Sequence, residues 1–82
     1  MAFLAIRGAT TCESNSKEDI TSATQELVSE MMTRNSISQT EIVSILFTAT
    51  SDLTKEFPAT AARGLGLDEV PLMCAQELEI EG

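Results

Sequence analysis

The chain has 82 residues, 5 of them basic and 13 acidic, no histidine, and a formal net charge of −8. That is one small domain at most, and a chain of this size buries only ~60% of its unfolded surface, so its core is thin and a partner is expected. The acidity leaves no basic patch with which to grip nucleic acid. The missing histidine excludes histidine-based zinc patterns, serine triads and cysteine–histidine dyads within the chain. Its two cysteines, Cys12 and Cys74, are too few and too far apart for a zinc site, a CxxC redox motif or a disulfide scaffold. No metal site and no cofactor are expected.

The opening residues Met1 to Ile6 are apolar but stop at Arg7, too short for a secretion signal, and no stretch approaches the roughly 20 apolar residues that span a bilayer. A cytoplasmic protein without membrane partners is the expectation. Residues 2–11 read as a strand, apolar at first and ending in Gly8-Ala9-Thr10-Thr11. After the polar loop Glu13-Ser14-Asn15, Ser16 is placed to cap a helix over 17–34. Glu18 and Asp19 in its first turn and Arg34 in its last suit the helix dipole. Ile20, Ala23, Leu27 and Met31 recur at helical spacing, Val28 and Met32 widen the stripe, and Glu30 and Arg34 are one turn apart. Asn35 ends the helix.

Ser38 and Glu41 repeat the capping spacing over a stretch long enough for a single turn. Ile42 to Phe47 is β-branched and apolar on both faces, which predicts a buried central strand followed by the polar loop 48–52. Pro58 can open a second helix that its alanines carry to Gly64 or Gly66. Val70 to Ala75 reads as a third strand with Pro71 near its start, and 76–81 alternates acidic and apolar residues. The order is β-α-β-α-β, a mixed sheet packed on helices, of class α+β.

Few residues invite chemistry on pattern alone. Arg7 lies inside an apolar strand, and a buried guanidinium needs an anion: a structural carboxylate, or a ligand held at a strand end. Arg63 reads either as an ordinary solvated helix charge or, with Arg7, as half of a local positive site for a small dianion. Cys74 reads as a buried small hydrophobe, since nothing here would activate it as a nucleophile. Glu77 shares a face with Glu79 and Glu81, which reads as a solvated face. Phe57 reads as a packing residue at the entry of the second helix.

The wording of the sequence goes further than its periodicity. Ala5-Ile6-Arg7-Gly8-Ala9-Thr10-Thr11 followed by Glu13 resembles the opening signature of the monofunctional AroH-type chorismate mutases. Three more blocks match in the same order: Thr48 to Leu53, Phe57-Pro58-Ala59 through Ala61 to Arg63, and Val70 to Cys74 with Gln76-Glu77. The resemblance implies a homotrimer of α+β protomers with active sites between subunits. It also implies the rearrangement of chorismate to prephenate, which serves aromatic amino-acid biosynthesis and needs neither metal nor nucleophile. By the same resemblance Arg7 binds a substrate carboxylate, and Arg63 and Phe57 reach in from the neighbouring subunit. Glu77 accepts a hydrogen bond from the substrate hydroxyl, Cys74 lies near that end of the substrate, and Ala59 lines the cavity. Thr60 stands where relatives often carry lysine, and Met73 occupies a substrate-facing position where threonine is common.

Members of that family run on for about another third of their length, which supplies an arginine facing the breaking ether bond, a tyrosine and an inserted strand. The 82 residues alone are therefore expected to form a single domain lacking that third, and a weak or inactive mutase. Two other readings stay open at this point. One is a non-catalytic trimeric binding protein for a small carboxylate metabolite; the other is an inactive truncated paralogue.

Overall fold

A computed structural model describes residues 4–80, ordered as α1 (Lys17–Arg34), a single 3-10 turn (Gln39–Glu41), β1 (Ile45–Ala49), α2 (Pro58–Arg63) and β2 (Leu72–Gln76). The α1 helix has the bounds its sequence predicts because the determinants are local. The Ser16 hydroxyl accepts the Asp19 backbone N–H at 3.1 Å, and Arg34 donates to Glu30 at 2.8 Å one turn back. At the other end the Asn35 backbone and side-chain amides both donate to the Met31 carbonyl, which leaves Ser36 to turn the chain at φ 52°.

The buried face of α1 is Ile20, Thr24 and Val28, rotated from the predicted stripe. Leu27 and Met31 are half-buried and meet the amino-terminal segment instead, where Gly8 packs against both. That segment corrects the first predicted strand. Its described part, residues 4–11, is exposed and joins no ladder, with Leu4 at 93% exposure, while Ala2 and Phe3 lie outside the described residues. A strand is stabilised by hydrogen bonds to a neighbouring strand, and among the described residues β1 and β2 pair only with each other, while this segment lies on the helix α1.

β1 and β2 form a two-stranded parallel sheet in step, Ile45 opposite Leu72 through Ala49 opposite Gln76, with α2 in the crossover. The ladder extends past β2, since the Glu77 N–H donates to the Ala49 carbonyl at 2.9 Å. The α+β class stands, with a purely parallel pair among the described residues where a mixed sheet was expected. The central strand also begins later than predicted, because Ile42 closes the 3-10 turn by donating to Gln39. It is not buried on both faces either. Ile45, Phe47 and Ala49 face the helices, whereas Leu46 is 59% exposed because no second layer among the described residues covers its side.

The core gathers Val28, Ala62, Leu67 and Val70, with Ile45, Phe47 and Leu72 of the sheet packed against it. Alanine at 59, 61 and 62 lets α2 sit close on α1, and all three are buried. Pro58 occupies the first turn of α2, where its missing N–H costs nothing. Gly66 follows at φ +88°, a conformation that glycine adopts without strain.

Candidate active site

The two faces of the sheet divide the predicted site residues. In a parallel pair in step, partnered side chains share a face, so Cys74 lies with Phe47 on the helix side. Met73 lies with Leu46 on the open side, and Glu77 follows there beside Thr48.

On the helix side a shallow recess of about 460 Å³ opens between the carboxy-terminal ends of β1 and β2 and the loop leading into α2. Ends of parallel strands are where loops diverge and ligands collect. Phe57 and Cys74 both line it, with Thr50, Ser51, Lys55 and Gln76. This corrects two readings. Phe57 is 69% exposed and caps α2 without packing into the core, and Cys74 is exposed rather than buried. The physical reason is shared: the core cluster ends at Phe47 and Leu72, and the six residues of α2 do not reach over the strand ends.

The loop bearing Phe57 is held from beneath by Asn15. Its carboxamide oxygen accepts the backbone N–H groups of Thr54 and Lys55 at 2.9 and 3.2 Å, and its amide donates to the Thr54 hydroxyl at 2.9 Å. Lys17 adds a long ion pair of 4.0 Å to Glu56, whose side chain is only 13% exposed.

On the open side the Thr48 hydroxyl donates to the Glu77 carboxylate at 3.2 Å, and the Ser51 hydroxyl donates to Glu79. Both acids are exposed, as their alternation predicts, and each is held by a hydroxyl on or just beyond β1; Glu81 lies outside the described residues. Thr48 went unassigned in the sequence. The signal was available, because a hydroxyl residue on an apolar strand, in register with the acidic end of β2, stands ready to donate to it.

Arg7 and Arg63 are exposed, and neither forms an ion pair with a described residue. Arg7 is therefore not the buried guanidinium that its apolar surroundings imply. Arg63 ends α2, and Ala59, on the same helix, is buried at 8% exposure. Arg7, Ala59, Arg63, Met73 and Glu77 do not line the recess. The structure thus brings Phe57 and Cys74 together and leaves the two cations and Glu77 pointing outward from separate elements.

The chain matches the family model for chorismate mutase type I over residues 3–82. It is 46% identical to chorismate mutase AroH of Thermus thermophilus over 78 residues, covering 94% of this chain and 64% of that protein. Identity to chorismate mutase AroH of Bacillus subtilis (strain 168) is 39% over 83 residues, covering 100% of this chain and 65% of the relative. Among solved structures, a chorismate mutase from Clostridium thermocellum superposes with a TM-score of 0.85 at 41% identity, covering 89% of this chain and 65% of that one. The chain thus spans a little under two thirds of the length of these relatives.

Proposed function

Because this chain belongs to the type I chorismate mutase family, we propose that the protein converts chorismate to prephenate. The observation that carries this reading is the match over residues 3–82, which takes in Arg7, Phe57, Arg63, Cys74 and Glu77 together. In the rearrangement the ether carbon–oxygen bond breaks as a carbon–carbon bond forms within one molecule. No atom enters or leaves, and no nucleophile or general base is required. The rate enhancement then comes from holding the substrate in its compact form and from charges set where the transition state polarises.

In this reading Arg7 and Arg63 bind the two substrate carboxylates as permanent cations whose forked geometry matches them. Phe57 and Ala59 shape the apolar wall, and Glu77 accepts a hydrogen bond from the substrate hydroxyl near Cys74 and Met73. The cations stand on separate elements and point outward, which supports a site completed between subunits, with Arg63 and Phe57 entering from a neighbour. The family resemblance sets the number of subunits in this reading at three, a homotrimer. The open sheet side supports it too, since the paired Leu46 and Met73 are exposed at 59% and 52% and form an apolar surface of the kind partners cover. Among the described residues no helix is long and apolar enough to cross a membrane, and both cysteines are free. Free thiols suit a reducing cytoplasm, where we place this single-domain enzyme of aromatic amino-acid biosynthesis.

The test follows chorismate loss with identification of the product, in the protein and in Arg7→Ala. Prephenate should accumulate, and Arg7→Ala should lower kcat/KM by about 10²–10³. Chorismate left both unbound and unconsumed, or turnover indifferent to the substitution, would overturn the reading. Sedimentation should show three subunits; a stable active monomer would rule out shared clefts.

A further inference from the structure

Gln25 occupies the middle of α1, half-buried, on the side that meets α2. Its side-chain amide donates to the Ala61 carbonyl at 3.0 Å, a contact across 36 residues of chain. The same carbonyl accepts the Gly64 N–H at 3.1 Å, so Gln25 grips the point where α2 ends. A Cβ at position 64 would stand 2.8 Å from the Gln25 amide nitrogen and 3.1 Å from the Ala61 oxygen, so the glycine leaves the room the amide needs.

A helix of six residues is too short to hold its form unaided. Its last carbonyls are closed only by tight turn bonds, from the Gly64 N–H to Thr60 and Ala61, from Leu65 to Ala62 and from Gly66 to Arg63. The buried methyls of Ala59, Ala61 and Ala62 set how deep α2 lies, but apolar contact has no direction and does not fix rotation or end point. The hydrogen bond from Gln25 is directional, and it lands two residues before Arg63.

We propose that Gln25, with the space left by Gly64, is a positioning residue for Arg63: it sets the last turn of α2 and so the direction in which the guanidinium leaves the protomer. This rests on the reading of Arg63 as the cation for one substrate carboxylate, contributed to a neighbouring subunit's cleft. A cation that crosses a subunit boundary must be aimed by its own chain.

Gln25→Glu tests it, because the shape is kept and the donor is exchanged for a carboxylate that cannot donate at neutral pH. KM for chorismate should rise about three- to tenfold, the worth of one such bond, with kcat nearly unchanged. Lowering the pH to protonate the new carboxyl should bring KM back toward that of the parent at the same pH. Gln25→Leu should show the rise without the pH recovery, and Gly64→Ala should raise KM from the other side of the contact. In an Arg63→Ala background Gln25→Glu should add nothing further. An unchanged KM in Gln25→Glu, or a full additional rise on top of Arg63→Ala, would overturn the proposal.

The underlying reading fails in a different way. Arg63→Ala with an unaltered KM would remove Arg63 from the site. The mechanical part is then read from amide hydrogen exchange at Gly64 and Leu65. Faster exchange in Gln25→Glu at neutral pH supports it, and unchanged exchange overturns it.

Discussion

The Thr48 hydroxyl, on a paired residue of β1, donates at 3.2 Å to the carboxylate of Glu77, the first residue past the end of β2. The backbone bond from Glu77 to Ala49 brings the acid alongside β1, and the threonine then selects the direction of its carboxylate. A carboxylate held on one side keeps its remaining lone pairs for a ligand hydroxyl.

Thr48→Val keeps the branched shape and removes the donor. Glu77 should then lose its fixed direction and kcat/KM for chorismate should fall about three- to tenfold, the net worth of one ordinary hydrogen bond at an exposed site. Because both side chains are exposed, the melting temperature should change little. Steady-state kinetics beside a thermal melt separates the two effects; a large loss of stability with no kinetic change would show Thr48 to be a purely structural residue.

Gly8 sets how closely the segment bearing Arg7 lies on α1. A Cβ there would meet the Met31 sulfur at 2.9 Å and a Leu27 methyl at 3.1 Å. Both atoms end flexible side chains, so Gly8→Ala should be mild. Gly8→Val should push the segment outward and lower kcat/KM about ten- to hundredfold through displacement of Arg7. Adding Met31→Ala should restore much of the loss, which kinetics of the double variant would measure.

Asn15 ties the start of α1 to the loop ahead of α2 through its three bonds to Thr54 and Lys55. Asn15→Ala should cost about 1–2 kcal/mol in stability, since the bonds are exposed and water replaces part of each. It should also raise KM, because Phe57 stands on the loop that is released. Denaturant unfolding and chorismate kinetics on the same variant provide the check.

Glu41 gives the fold a pH-sensitive element. The Ser38 backbone N–H and then the Ser38 hydroxyl donate to its carboxylate, and both hold its pKa below the ordinary 4.5. A carboxyl whose folded pKa is depressed stabilises the fold above its unfolded pKa, and the contribution is lost as pH falls through the lower, folded value. Glu41→Gln should therefore be less stable than the parent at neutral pH and match it once the medium is acid enough to protonate Glu41. Melts across that acid range, at fixed ionic strength, would show the two curves converging.

These four sites differ in how far sequence reading reaches them. The Ser38–Glu41 turn and the whole of α1 were legible, because a cap, a charge at a helix end and a terminating Asn35 act within a few residues of themselves. The bond between Thr48 and Glu77 depends on strand register, which no local signal sets. The buried line of α1 was misread for a related reason. Periodicity shows that an apolar face exists, but Gly8 and the alanines of α2 decide that Leu27 and Met31 turn one way and Val28 the other.

The site residues divide along the same boundary. Arg7, Phe57, Arg63, Cys74 and Glu77 could be named from ordered blocks of sequence, because residue identity at fixed spacing is a property of the chain. Their surroundings could not. Arg7 and Cys74 read as buried and prove exposed, and Phe57 reads as packing and opens onto a recess. Length, charge and the missing histidine by themselves determined a small acidic domain with a thin core and no histidine chemistry. The tertiary structure alone decided which strands pair, which sheet face stays uncovered and where each cation points. Those outcomes depend on which distant segments come together and which layer covers them, and that information lies in no single stretch of the 82 residues.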